Sequence, residues 1–169
     1  MQGIHLLREI VYTTNLKSGN ELRMNKQYYA YDELLADSKK LISMLDEKYD
    51  AILAVARGGM SFAHLLSEGL DIRDVNTVKV ASYDDTVQRN SVTISDLPQL
   101  NEKRRYLIVE DIVDSGKSMK ALSFDLEKHY PNLQYDVAAL FYKQTACYKP
   151  KYYLHEAKAW IEFFWEADI

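Results

Sequence analysis

The chain has 169 residues, enough for one substantial core, so a single domain is the natural expectation. With 47% hydrophobic and 27% charged residues it has the balance of a soluble globular protein, and its net charge of −4 argues against a general nucleic-acid or membrane-surface binder. No apolar stretch approaches the roughly 18 residues of a membrane span, the N-terminus has no signal-peptide core, and the lone Cys147 permits no internal disulfide, so a cytoplasmic protein is expected.

Residues 1–30 are the least legible. EIVYT at 9–13 reads as a strand, Ser18-Gly19-Asn20 as a turn and residues 21–24 as a return strand. A small hairpin and an irregular extension both fit. From Tyr31 a helix is clearer: Asp32 can cap it, and Leu34, Leu35, Leu41, Ile42 and Leu45 recur at helical spacing. AILAVA at 51–56 is a buried-strand run ending in Arg57-Gly58-Gly59, with a helical stretch over 60–70. The two glycines allow close backbone approaches. The plain alternative is a tight turn beside a surface arginine.

The next strand is placed at 77–82. A polar connection containing Gln88 and Arg89 then runs to about Asn101, long enough to be a lid or a disordered link. Lys103, Arg104 and Arg105 read as solvated residues ahead of a buried strand. That strand opens the most informative stretch, YLIVEDIVDSGKSM at 106–119. Four apolar residues are followed by Glu110 and Asp111; Asp114-Ser115-Gly116-Lys117-Ser118 comes next, and a helix starts near Met119. A small-residue turn feeding a helix offers backbone N–H groups and the positive end of a helix dipole to a phosphate. An ordinary strand-loop-helix connection would use similar residues. The pattern argues against a nucleoside-triphosphate P-loop, because Asp111 stands where its first glycine is required. Carboxylates beside a phosphate need a different task, such as gripping sugar hydroxyls or a cation.

Beyond this motif a helix carries Leu122, Phe124, Leu126 and His129, a strand at 135–142 delivers Lys143, and a short strand fits 152–154. The tail AWIEFFWEADI is aromatic, as core or subunit contacts often are. An aromatic at a ligand pocket is the sharper reading. His5, His64, His129 and His155 show no zinc-ligand spacing. Strands alternate with helices, so an α/β fold with a mainly parallel sheet is expected.

Residues 106–119 resemble the signature of the type I phosphoribosyltransferases. AVARGGMSFAHLL, SYDD with Gln88-Arg89, the strand ending in Lys143, and Trp160-Ile161-Glu162 follow in that family's order. Over residues 31–168 the chain is similar to the bacterial xanthine-guanine and related 6-oxopurine enzymes, with residues 1–30 left as an unmatched extension. The resemblance implies a twisted, mainly parallel sheet flanked by helices, a small C-terminal hood and a flexible active-site loop. It implies transfer of the 5-phosphoribosyl group from phosphoribosyl pyrophosphate (PRPP) to guanine, xanthine or hypoxanthine, with Mg²⁺ and with release of pyrophosphate.

Carried over residue by residue, Arg57, Gly58 and the lid residue Arg89 would bind pyrophosphate. Glu110 and Asp111 would hold the ribose hydroxyls. Asp114, Ser115, Gly116, Lys117 and Ser118 would cradle the 5′-phosphate, with Asp114 the general acid/base. Lys143, Trp160 and Ile161 would bind the purine. Magnesium would travel mainly on substrate and water oxygens, with Glu110 and Asp111 as protein donors. A homodimer or homotetramer is implied; nucleic-acid or membrane partners are not. Two departures concern Glu-Asp in place of Asp-Asp, and Ser-Gly-Lys-Ser where the bacterial enzymes have threonines and two glycines. The alternatives are a phosphoribosyltransferase for another base, such as orotate, and a PRPP- or nucleotide-sensing regulator on the same fold.

Overall fold

The computed structural model describes residues 26–83, 91–95 and 97–166. The hairpin expected within residues 1–24, together with Gln88 and Arg89, lies outside the described residues. In chain order the elements are β1 (Lys26–Tyr29), α1 (Tyr31–Met44), β2 (Ala51–Ala56), α2 (Gly59–Leu70), β3 (Val75–Tyr83) and β4 (Ser91–Ser95). They continue with β5 (Arg105–Val113), α3 (Lys117–His129), β6 (Gln134–Tyr142), β7 (Tyr152–Glu156) and β8 (Trp160–Phe163).

Six strands form one sheet in the order β4-β3-β2-β5-β6-β7, parallel except for β4. Its middle strands are apolar on both faces because both faces are covered. Ile52, Ala54, Leu107 and Val109 join the core shared with Leu34 and Leu41 of α1 and with Phe62 and Leu66 of α2. The alternate residues Leu53, Val55, Tyr106 and Ile108 join Met119, Leu122 and Leu126 of α3 on the other face. Each fully buried leucine or phenylalanine contributes roughly 1.5–3 kcal/mol through removal of apolar surface from water.

Several boundaries differ from the sequence expectation. Strand β5 does not stop at the apolar run; it continues through both acids, because Glu110, Ile112 and Val113 remain in register with Ala139, Phe141 and Tyr142 of β6. Backbone pairing here prevails over side-chain polarity. Helix α3 opens at Lys117, two residues before the expected start, directly after Gly116 in a left-handed conformation (φ 76°). Part of the polar connection is the strand β4, antiparallel to β3 with Lys79 opposite Ser95. Val92 and Ile94 alternate with polar residues in it, a half-buried strand pattern that the surrounding polar stretch obscured. Arg104 and Arg105 are not simply solvated: Arg104 pairs with Asp74, and Arg105 Nη2 lies 2.9 Å from Asp136 Oδ2 on β6.

The remaining strands, β1 and β8, form a separate two-stranded parallel sheet, with Lys26 opposite Trp160 and Tyr29 opposite Phe163. Strand β1 is invisible in the sequence because only Tyr29 of its four residues is buried. This small sheet is the hood, and its Tyr29, Ile161 and Phe163 join the core that the main sheet shares with α1 and α2.

Helix α2 can approach β5 only because its first residue lacks a side chain. A Cβ at Gly59 would stand 2.2 Å from the Val109 carbonyl oxygen, which is fixed in the sheet. Gly59→Ala is expected to lower stability by about 1–3 kcal/mol, the usual cost of overpacking, as measured by urea denaturation.

Candidate active site

Strand order reverses between β2 and β5: the chain steps from β2 outward to β3, then returns to the other side of β2 as β5. Loops after neighbouring parallel strands diverge at such a point and leave a crevice. The loops that meet here are Arg57-Gly58-Gly59 after β2 and residues 110–117 at the end of β5. The sheet thereby brings together two motifs separated by some fifty positions in the chain. The Ala56–Arg57 peptide is cis, Arg57 is exposed, and the Met60 N–H donates to the Arg57 carbonyl at 3.1 Å. Gly58 lies against Asp111 so closely that a Cβ would fall 2.1 Å from Asp111 Oδ2.

Glu110 and Asp111 are both buried. Asp111 N–H donates to Glu110 Oε1 at 3.0 Å, and Ile112 N–H to Asp111 Oδ1 at 2.7 Å. Burial, followed by the charge of Asp111, pushes Glu110 well above the usual carboxylate range. Burial also raises Asp111, partly offset by hydrogen bonds from Glu110 and the Ile112 amide. Two desolvated carboxylates side by side favour a proton, a cation or hydroxyl donors as company.

The turn that follows is shaped by its neighbours. Gly116 needs its left-handed backbone, and a Cβ there would meet the Tyr148 amide nitrogen at 2.6 Å. The Cys147 N–H donates to the Ser115 carbonyl at 2.9 Å, so the 143–150 loop buttresses this turn. Ser115 Oγ accepts from the Lys117 N–H at 3.3 Å. Glu110, Asp111, Ile112, Asp114, Ser115, Gly116 and Ser118 line a cavity of about 260 Å³ at the start of α3. Backbone amides and a helix N-terminus there suit an anion.

A larger cleft, about 470 Å³, adjoins it. Asp111, Ile112 and Asp114 form its inner side, Lys143 reaches in from the end of β6, and Trp160, Ile161 and Phe163 of β8 form the hood side. Lys143 Nζ is 2.8 Å from Asp114 Oδ1, and both side chains are exposed. Trp160 is 56% exposed, so its ring is open to a flat partner. A planar heterocycle fits this combination of an indole, an aliphatic side chain, a donor and an acceptor.

The structure thus assembles Glu110, Asp111, Asp114, Ser115, Gly116, Ser118, Lys143, Trp160 and Ile161 around two adjoining cavities. Gly58 touches the same wall through Asp111. Lys117 starts α3 beside it. Sequence reasoning missed Glu166, which faces the larger cleft and adds its charge to the environment of Asp111. Its signal was an acid closing an aromatic run, with nothing local to set it apart from a surface residue. As potential cation donors, Glu110, Asp111 and Glu166 supply carboxylate oxygens. Among the described residues no three His, Cys, Asp or Glu side chains are grouped to hold a metal ion.

A doubly wound sheet with an anion turn and a planar pocket sharing one acidic wall defines a protein that handles a phosphorylated, base-bearing ligand. The chain belongs to the phosphoribosyl transferase domain family, which matches residues 24–169. The xanthine-guanine phosphoribosyltransferase of Idiomarina loihiensis is 35% identical over 108 residues, covering 62% of this chain and 67% of that protein. The enzyme of the same name from Vibrio atlanticus is 30% identical over 148 residues, covering 86% and 92%. Among solved structures, Helicobacter pylori xanthine-guanine-hypoxanthine phosphoribosyltransferase superposes with a TM-score of 0.78 at 35% identity, covering 85% of this chain and 96% of that one.

Since Glu110 binds its proton more tightly folded than unfolded, that proton stabilises the fold below the ordinary value of 4.5, and the contribution is lost as pH rises through the elevated folded value. Glu110→Gln is therefore expected to raise the melting temperature at pH 8 and flatten its decline between pH 5 and pH 8 in thermal denaturation scans. A lower melting temperature at pH 8 would refute this placement of the charge.

Proposed function

We propose that the protein is a purine salvage phosphoribosyltransferase that transfers the 5-phosphoribosyl group from PRPP to a 6-oxopurine. The observation that carries this reading is the shared wall of Asp111, Ile112 and Asp114 between the anion cavity and the planar pocket. A phosphoribosyl group held by one cavity would present its anomeric carbon to a base held in the other. The curated relatives named above, both xanthine-guanine phosphoribosyltransferases, support the same substrate class.

In this reading the amides and hydroxyls of Ser115, Gly116, Lys117 and Ser118 bind the 5′-phosphate, and Glu110 and Asp111 accept hydrogen bonds from the ribose hydroxyls. Arg57 and Gly58, joined by Arg89, bind the pyrophosphate. Trp160 stacks on the purine, Lys143 donates to its 6-oxo group, and backbone at Ile161 reads its 2-position. The purine nitrogen attacks C1 as the C1–oxygen bond breaks, and the electron pair leaves on pyrophosphate. Asp114 takes the proton released from the imidazole ring. The transition state has oxocarbenium character, so a ribose held in place by two carboxylates enters it with little further reorganisation.

Magnesium fits a site of this kind because Asp111, raised by burial, gains from a neighbouring cation, while one or two carboxylates suffice beside substrate oxygens. When bound, Mg²⁺ would supply charge neutralisation on the departing pyrophosphate. Cytoplasmic residence accords with the lone thiol at Cys147. A homodimer or homotetramer is supported by exposed Phe124 and Tyr28, at 67% and 62%.

Pyrophosphate release from PRPP and Mg²⁺, assayed with guanine, xanthine, hypoxanthine, adenine and orotate, tests the proposal. Turnover is expected with one or more 6-oxopurines, and Asp114→Asn should lower kcat about 10²- to 10⁴-fold. Turnover with adenine or orotate alone would reject the base assignment. PRPP binding without turnover on any base would make the protein a sensor.

A further inference from the structure

Among the described residues the hood shares no strand pairing with the six-stranded sheet, yet it carries Trp160 and Ile161. Its position must come from side chains and loops. Tyr29 on β1 is 1% exposed, and its carbonyl accepts from the Phe164 N–H at 3.0 Å. Its ring stands edge-on to Phe141 of the main sheet at 5.2 Å, and to Phe163 and Trp165 at 5.7 and 6.3 Å. Its hydroxyl donates to Asp37 Oδ2 at 2.7 Å. The same oxygen lies 2.6 Å from Nε2 of His155 on β7, which must be the protonated nitrogen if it is to donate to a carboxylate.

Asp37 is out of place by helix patterning. It occupies the buried face of α1 with Leu34, Ser38 and Leu41, where an acid is costly unless its oxygens are bonded. Neither Asp37, Tyr29 nor His155 is among the residues lining the two cavities. We propose that Asp37 is a positioning residue for the planar pocket: its Oδ2, shared by Tyr29 and His155, ties the hood to α1 and β7 and so sets where β8 stands over Asp114 and Lys143. The kinetic consequence rests on reading that cleft as the purine pocket. The anion turn belongs to β5 and α3 and has no part in this contact, so loosening the hood weakens base binding while leaving PRPP binding in place.

Both tryptophans of the chain, Trp160 and Trp165, lie in or directly after β8, so their fluorescence reports the hood without any turnover. Tyr29→Phe keeps the ring and removes the hydroxyl; Asp37→Asn keeps the shape and removes the charge. Each is expected to raise acrylamide quenching of tryptophan and to raise KM for the purine about three- to tenfold, with KM for PRPP within about twofold of the parent value. The double variant should be little worse than either single one, since both break the same contact. Unchanged quenching in Tyr29→Phe would overturn the anchoring, as would parallel rises in both KM values, which would mark general loosening. Absence of purine turnover in the unsubstituted protein would instead overturn the reading of the cleft.

Discussion

Two carboxylates held out of water at the end of β5 are the constraint on which the site depends. Ionised and unpaired, Glu110 and Asp111 would oppose folding: burial raises both above their usual values, with the charge of Asp111 adding to the effect at Glu110. Their position follows from sheet pairing, which carries β5 past its apolar run and delivers the acids to the crevice between β2 and β5. Gly58 is small because Asp111 fills the space a side chain would need. A ligand with hydroxyl donors, or one that brings a cation, would relieve the cost of burying the two acids. Stability and ligand affinity are thereby opposed at these two residues.

The second structural feature is a division of labour. The turn proposed to bind an anion belongs to the six-stranded body, where it follows β5 and is backed by α3 and by the amides of Cys147 and Tyr148. The planar pocket is shared with a hood that, among the described residues, the body holds without a common ladder. Aromatic edge contacts around Tyr29 and one buried carboxylate at Asp37 join the two. On the proposed reading, a pocket with one wall in the sheet and one side-chain-tethered wall could vary its base preference without disturbing the sugar-phosphate end.

Legibility in the sequence followed the range of the interactions. The runs at 51–56 and 106–109, the glycines of Arg57-Gly58-Gly59 and the acid-led turn at 114–118 announce themselves because each is local: apolar continuity, missing side chains, turn chemistry. Most of the candidate site could be named from them and from the family resemblance. Strand β4 was passed over because its short alternation of Val92 and Ile94 with polar residues sits inside a long polar stretch, and β1 because it buries one side chain in four. Glu166 resembled an ordinary tail-surface acid, and Asp37 stood on the apolar face of α1 with nothing local to name its partners.

By itself, then, the sequence determined the α/β class, the two strand-loop-helix motifs and the kind of chemistry their residues can perform, since these depend on neighbours along the chain. Only the tertiary structure decided that the motifs meet at one crevice, that Asp111 and Asp114 stand between two cavities, and that Tyr29 and His155 share a single oxygen of Asp37. Those facts depend on strand order and side-chain packing between residues far apart in sequence. No local pattern encodes them.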